Sequence, residues 1–131
     1  MKLLVRNSRV HGKGVFTQTA IPKGKRIVEY DGERISRKEG LKRDKAQKKK
    51  GQFYVFAIDK QWCVDGSKGG IARLINHSCN PNCRYRRMSG RIWIYSLRNI
   101  KKGEELTYDY DLAEKGTYAC KCGAFNCNGT M

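Results

Sequence analysis

A chain of 131 residues with 39% hydrophobic residues and two prolines has the length of one folded domain, too short for a two-domain enzyme, and its mean hydropathy of −0.72 leaves a thin core. No apolar run approaches the ~18–20 residues of a membrane-spanning helix, and the opening Met1-Lys2-Leu3-Leu4-Val5-Arg6 is too short for an export signal, so an intracellular protein without membrane contact is expected. Twenty-eight Lys and Arg against twelve Asp and Glu give a net charge of +16, which draws nucleic acid or another polyanion from a distance.

In chain order, isolated glycines and turn residues punctuate short apolar runs, the pattern of a mainly β protein. Val10-His11-Gly12-Lys13-Gly14-Val15-Phe16 sets two glycines around a basic residue ahead of a strand. Ile21-Pro22-Lys23-Gly24-Lys25 then turns into Arg26-Ile27-Val28-Glu29-Tyr30, so the opening reads as a hairpin. Ser36, with Glu39 at capping-box spacing, starts the one substantial helix, which Gly51 ends. Residues 37–50, opening on Arg37 and closing on Lys48, Lys49 and Lys50, carry eight basic side chains opposed only by Glu39 and Asp44. Such a stretch is either a solvated helix face or a contact for phosphate or an acidic partner.

Phe53-Tyr54-Val55-Phe56-Ala57-Ile58 and Trp62-Cys63-Val64 form a strand pair about the turn Asp59-Lys60-Gln61. Residues 66–70 are a loop, and Ile71-Ala72-Arg73-Leu74-Ile75 makes a short helical turn. Arg91-Ile92-Trp93-Ile94-Tyr95-Ser96-Leu97 is the clearest strand, entered through Ser89-Gly90, and Lys102-Gly103 turns into Glu104-Glu105-Leu106-Thr107-Tyr108.

Six cysteines without an export signal point to thiolates or a metal before disulfides. Cys120, Cys122 and Cys127 form a C-x-C-x4-C cluster that supplies three ligands where zinc takes four. Cys63, Cys79 and Cys83 are the candidates for the fourth, and any of them would staple the tail onto the body. A disulfide or free thiols are the alternatives.

Two segments concentrate polar, aromatic and special-backbone residues: Arg73-Leu74-Ile75-Asn76-His77-Ser78-Cys79-Asn80-Pro81-Asn82-Cys83 and Gly103-Glu104-Glu105-Leu106-Thr107-Tyr108-Asp109-Tyr110. They resemble the R-F-x-N-H-S-C-x-P-N and G-E-E-L-T-x-D-Y signatures of the SET-domain protein lysine methyltransferases. His11-Gly12-Lys13-Gly14 is similar to that family's early G-x-G element, Glu29-Tyr30-Asp31-Gly32-Glu33 to its E-Y-x-G-E strand, and the terminal cysteines to its post-SET zinc motif. The resemblance runs from about Val10 to the end of the chain.

It implies a mainly β, β-clip-like SET fold of small sheets with one short helix, a C-terminal pseudoknot and a zinc-bound tail. Residues 1–111 would be the SET domain and residues 112–131 the post-SET tail. S-adenosylmethionine would enter one face and the target lysine the other, an arrangement that suits an in-line methyl transfer with reacting atoms ~3–3.5 Å apart. The resemblance makes Tyr110 the catalytic tyrosine, with Tyr30, Tyr54 and Tyr108 lining the lysine channel. Cofactor contacts fall on His11, Lys13 and Gly14 in the loop around its methionine end, on Arg73, Asn76 and His77, on Tyr54 and Tyr110, and on Lys121 and Phe125 of the tail. Cys79 joins Cys120, Cys122 and Cys127 as zinc ligands, leaving Cys63 and Cys83 as small buried residues. Tyr85, Tyr95 and Tyr118 are expected to be core.

Tyr108 stands at the family's Phe/Tyr switch, which implies mainly mono-methylation with some di-methylation. Three departures stand out: Leu74 replaces the usual Phe, Asp65-Gly66…Gly69-Gly70 replaces the Asp-Ala…Gly-Asn loop, and the insert between Gly32 and Phe53, a region that in the family helps select substrate, is short and basic. The substrate class implied is a histone or another basic, nucleic-acid-associated protein, in the nucleus or on chromatin for a eukaryotic or delivered protein and in the cytoplasm for a bacterial one. The acidic run Glu104, Glu105, Asp109, Asp111 and Glu114 would flank the channel, residues 37–50 could hold nucleic acid, and a monomer is expected. The competing readings are a non-catalytic basic zinc module that binds nucleic acid and a catalytically silent SET module that binds protein.

Overall fold

The computed structural model describes residues 2–112, 118–127 and 129–131. Strands β1 (Leu3–Asn7) and β2 (Lys13–Thr17) form an antiparallel pair. The chain continues through β3 (Arg26–Tyr30), β4 (Glu33–Ser36), helix α1 (Arg37–Lys48), β5 (Val55–Ala57) and β6 (Trp62–Asp65). Two 3-10 turns, Gly66–Lys68 and Ile71–Leu74, lead to β7 (Asn76–His77), β8 (Cys83–Met88), β9 (Arg91–Ser96) and β10 (Thr107–Tyr108). Among the described residues these strands make three small sheets, ordered β1-β2, β4-β6-β5 and β3-β9-β8-β10-β7, so the expected mainly β architecture with one helix is what forms.

The opening hairpin does not form. β2 pairs with β1, and β3 pairs with β9. The connection between β2 and β3 is instead drawn to the far side, where Ile21 and Ile100 exchange backbone hydrogen bonds of 2.9 and 2.8 Å and are both buried. Burying two isoleucines and satisfying both backbones outweighs a local hairpin whose strands would meet with fewer apolar partners.

The core alternates cleanly along β9, where Ile92, Ile94 and Ser96 point in and Arg91, Trp93 and Tyr95 point out. Ser89 and Gly90 both have positive φ, 52° and 74°, the primed turn whose twist matches an antiparallel hairpin, and β8 pairs with β9 from Cys83 opposite Ser96 to Met88 opposite Arg91. β10 lies between β7 and β8 and runs parallel to both. Asn82 fixes its register: the side-chain NH2 donates to the Glu105 carbonyl at 2.8 Å, and Thr107 N–H donates to Asn82 Oδ1 at 2.9 Å. A strand inserted between two strands joined by the loop at residues 78–82 is the pseudoknot arrangement that the resemblance implies.

Helix α1 begins where expected. Ser36 Oγ accepts from Glu39 N–H at 3.1 Å, although the Glu39 carboxylate reaches forward to Arg43 at 2.7 Å, so only half of a capping box forms. Arg43 also donates to Glu33 at 2.8 Å and to Asp65 at 3.2 Å, tying the helix to β4 and β6. Gly51, with φ of 70°, turns the chain out of the helix end.

Gly40 is the buried residue of the helix and faces Cys63 of β6. A Cβ there would stand 2.5 Å from the Cys63 sulfur and 2.9 Å from its Cβ. Helix propensity alone favours Gly40→Ala by about 1 kcal/mol, whereas overpacking costs about 1–3 kcal/mol. The close contact should win, so Gly40→Ala is expected to lower the thermal midpoint, and Gly40→Ala with Cys63→Ala to recover it. A higher midpoint for the single variant would mean that the helix slides freely on the sheet.

Candidate active site and cysteine cluster

Two cavities meet at Tyr110. The larger, about 590 Å³, is lined by the loop carrying His11, Gly12 and Lys13, by Phe53 and Tyr54, by Arg73, Asn76 and His77, and by Tyr118 and Lys121 from the tail. The smaller, about 260 Å³, is walled by Phe53, Phe56, Tyr85 and Tyr108, with Asp44, Arg87 and Asp111 at its polar margins. Tyr110 and Phe53 line both. The larger volume is within the range of small-molecule sites, and no Asp or Glu side chain lines it among the described residues.

Tyr110 is held at both ends. Its hydroxyl donates to the Ile75 carbonyl at 2.6 Å, and its backbone N–H donates to His77 Nδ1 at 3.0 Å. Because Nδ1 accepts, the proton of neutral His77 sits on Nε2, which lies 3.5 Å from Cys79 Sγ. Burial lowers the His77 pKa against the opposing pull of Asp109, so the neutral ring is favoured. Burial likewise raises the Tyr110 phenol well above its ordinary value, and Tyr54 and Glu105 add to the effect. At neutral pH Tyr110 is therefore an uncharged phenol whose proton is committed to a carbonyl, leaving its oxygen lone pairs available.

Tyr108 is buried, and its ring centroid is 5.0 Å from that of Tyr110. Its hydroxyl has no protein hydrogen-bond partner among the described residues, while the side chain lines the smaller cavity. That places a free polar group where a water or an amine could bind.

The loop at residues 11–14 is positioned by a network centred on Glu105. Ser8 Oγ donates to that carboxylate at 2.7 Å, and Asn76 Nδ2 lies 2.9 Å from Oε2 while also reaching the His11 and Lys13 carbonyls at 3.1 and 3.0 Å. Gly12 has φ of 47°, and a Cβ on Gly14 would collide with the Glu105 carboxylate. The two glycines therefore serve separate needs, one a left-handed backbone and the other a close approach. In the departing loop, Asp31 Oδ1 accepts from Gly70 N–H at 2.9 Å, and a Cβ at Gly69 would strike the Asp31 carbonyl. Asp31 and bare glycine thus order this segment.

Cys79, Cys120, Cys122 and Cys127 bring their sulfurs within 4.8 Å of one another, with Cys79 and Cys120 at 3.9 Å. A tetrahedron with zinc–sulfur bonds of ~2.3 Å has edges of ~3.8 Å, so the set can hold a metal ion. Burial and the neighbouring thiols push Cys79 up and Cys120 up to about 11. Burial also acts to raise Cys122, but the N–H groups of Cys79 and Ala124 and the neighbouring thiols draw it down to about 6. Four sulfurs this close cannot all ionise without a cation between them. The tail is further docked by Asn126 Nδ2, which donates to the Cys79 carbonyl at 2.9 Å.

The SET domain family model matches residues 12–111, three quarters of the chain and all of both cavity-forming motifs. The chain belongs to the SET-domain family. It is 42% identical to a histone-lysine N-methyltransferase, set-2, of Caenorhabditis elegans over 132 residues, 95% of this chain and 9% of that protein. It is also 44% identical to the H3 lysine-4 specific histone-lysine N-methyltransferase of Schizosaccharomyces pombe and 40% identical to that of Saccharomyces cerevisiae, in each case over 95% of this chain, and 14% and 12% of those proteins respectively. The chain thus spans about a tenth of the length of these relatives.

Of the residues expected at a SET cofactor site, His11, Lys13, Tyr54, Arg73, Asn76, His77, Tyr110 and Lys121 line the larger cavity, and Gly14 lies behind it against Glu105. Phe125 does not line it and is 90% exposed. Arg73 donates to the Gly69 carbonyl at 3.3 Å and makes no ion pair among the described residues.

Of the expected channel aromatics, Tyr108 lines the smaller cavity and Tyr54 only the larger. Tyr30 lines neither: it packs edge-on against Phe56 and donates to the Tyr54 carbonyl at 2.9 Å. Phe53, Phe56 and Tyr85 form the wall instead. Tyr85, Tyr95 and Tyr118 are none of them fully buried, because strand alternation and the tail place them at cavity or surface positions. Cys63 and Cys83 are buried as expected.

The acidic run scatters. Glu104 pairs with Arg98, Glu105 braces the loop at residues 11–14, Asp111 alone borders the smaller cavity, and Glu114 lies outside the described residues. Asp44 of α1 supplies the other cavity carboxylate. Only Thr107–Tyr108 of this segment is strand and Asp111 has φ of 53°, so the carboxylates do not share one face.

Burial is the first cause of the raised pKa at Tyr30, Tyr108 and Tyr110, with repulsion from a neighbouring phenol second at each. In an ultraviolet alkaline titration these three of the seven tyrosines should stay protonated past the ordinary value of 10 until the chain unfolds. Since the folded value lies above the unfolded one, their contribution to stability is complete below pH 10 and is lost as pH rises further. Seven tyrosines ionising together in a folded protein would overturn the burial argument.

Proposed function

We propose that this chain is a protein-lysine N-methyltransferase that moves a methyl group from S-adenosylmethionine to the ε-amine of a lysine on a histone or another basic, nucleic-acid-associated protein. The observation that carries the reading is the wall made by Tyr110 between two cavities of unequal size. One is large and edged by Lys13, Arg73 and Lys121, which suits a ligand with a carboxylate end; the other is narrow and aromatic, which suits an alkyl stem with a basic tip. S-adenosylmethionine, when bound, supplies an electrophilic methyl group on a positively charged sulfur. The names of the relatives support the histone substrate and, with it, action on chromatin in the nucleus.

A lysine amine attacks only when neutral, and its ordinary pKa is near ~10.4. Phe53, Phe56, Tyr85 and Tyr108 desolvate the stem and lower that pKa without a dedicated base. Tyr110 is unsuited to be a base, because burial keeps it a phenol. With its proton held by the Ile75 carbonyl, its oxygen offers lone pairs that orient the amine and the methyl hydrogens. Tyr108, with its free hydroxyl in the narrow cavity, holds a water there and leaves room for one methyl group, so mono-methylation dominates and di-methylation is minor.

Cys79, Cys120, Cys122 and Cys127 hold a structural zinc ion that docks residues 112–131 as a post-SET tail onto a SET domain of residues 1–111. The chain acts as a monomer, with residues 37–50 as an auxiliary contact for nucleic acid around the substrate.

Mass-spectrometric assay of intact histones and nucleosomes with zinc supplied should detect a single added methyl group. Tyr110→Phe should lower turnover by at least about a hundredfold, the scale of losing one positioned group, while S-adenosylmethionine affinity by calorimetry stays within a few fold. Equal turnover in the two proteins would remove Tyr110 from the mechanism. Tyr108→Phe should shift product toward di- and tri-methyl lysine, and unchanged product ratios would remove the water from the account.

A further inference from the structure

The outer face of the β3-β9-β8 sheet has no part in the site described above. Strand alternation turns Tyr85 of β8 toward the smaller cavity and sends Arg84 and Arg86 out of the opposite side. Register then places Arg84 opposite Tyr95, Arg86 opposite Trp93 and Met88 opposite Arg91, with Arg26 of β3 completing the group. The Arg26 guanidinium lies 4.4 Å above the Trp93 ring and that of Arg86 5.4 Å from the Tyr95 ring. Arg26, Arg84 and Arg86 have no carboxylate in ion-pair reach among the described residues; Arg91 has Glu29 at 3.8 Å.

We propose that this face docks the phosphate backbone of duplex DNA. Three exposed, unneutralised guanidiniums on a rigid sheet are costly by self-repulsion and are complemented by a polyanion. Stacking on Trp93 and Tyr95 fixes two of the planes in advance, so less side-chain freedom is lost when phosphates bind. The rings are half-buried beneath those guanidiniums, so they offer no bare platform for unpaired bases. Among the described residues of β3, β8 and β9, Met88 is the exposed large hydrophobic, with Leu97 just past the end of β9, and the face lacks the apolar anchor pocket of a protein interface. The inference goes beyond the contact proposed for residues 37–50 and does not depend on methyl transfer, because the DNA surface is read without cofactor or histone.

The test is fluorescence anisotropy of the full chain on a labelled duplex between about 50 and 200 mM salt, where each phosphate contact adds about 0.9 to the slope of log affinity against log salt. Arg84→Gln with Arg86→Gln should reduce the slope by about 1.8 and weaken binding at least about tenfold at the low-salt end. Lys101→Gln with Lys102→Gln removes the same charge from an exposed turn and should cost much less. Methylation of a free histone peptide by the arginine variant should equal wild type, and its thermal midpoint should be unchanged; if no peptide is methylated by either protein, the DNA result still stands or falls by itself. Equal losses in the two variants, an unaltered slope, or polyglutamate competing as well as duplex would overturn the proposal.

Discussion

Thr107 and Tyr108 pair in parallel with Asn76 and His77, and through that short contact two segments some thirty residues apart become neighbours. Parallel pairing of two-residue strands is weak by itself and needs help. Asn82 supplies it by bonding both sides of the inserted segment, and the burial of Leu106 and Tyr108 supplies the rest. Without this insertion Tyr110 would have neither the Ile75 carbonyl nor the His77 ring to hold it, and the two cavities would share only Phe53.

The inserted strand also explains why the site is electrostatically quiet. Tyr30, Tyr108 and Tyr110 are crowded and dry, which keeps them neutral, while the Glu105 carboxylate behind the loop at residues 11–14 is saturated by Ser8 and Asn76, and Asp44 and Asp111 stay at the margin of the smaller cavity. An amine among Phe53, Phe56, Tyr85 and Tyr108 would lose hydration and with it part of its basicity, whereas a carboxylate at the cavity margin would act the other way. His77 connects this quiet region to the cysteine cluster, with one ring nitrogen toward Tyr110 and the other toward Cys79. The tail and the Tyr110 phenol are thereby parts of one packed unit.

Much of the fold was legible wherever local chemistry decides structure. The Ser36 cap, the Gly51 stop, the Ser89-Gly90 turn and the alternation in β9 are each set by a few adjacent residues. Strand β8 was not legible, because Cys83-Arg84-Tyr85-Arg86-Arg87-Met88 carries too little hydrophobic alternation to signal a strand, and its arginines acquire sides only when paired with β9. The opening hairpin was misread for a related reason: a turn between two strands suggests that they pair, but Ile21 is claimed by Ile100 nearly eighty residues away.

The same division runs through the site. Sequence by itself determined which residue types are present and in what local order: the Asn76-His77 and Thr107-Tyr108-Asp109-Tyr110 motifs, the glycines around Lys13 and the spacing of the terminal cysteines. These are short-range patterns that survive in one dimension. Residue spacing left Cys63, Cys79 and Cys83 open, the motif resemblance chose Cys79, and the sulfur cluster agrees; only the tertiary structure decided that Tyr30 packs behind the site while Phe53, Phe56 and Tyr85 wall the smaller cavity, and that Glu105 serves the loop at residues 11–14. Each of those outcomes depends on which side of a strand a residue occupies and which distant strand it meets, and a side is defined only once a partner is in place.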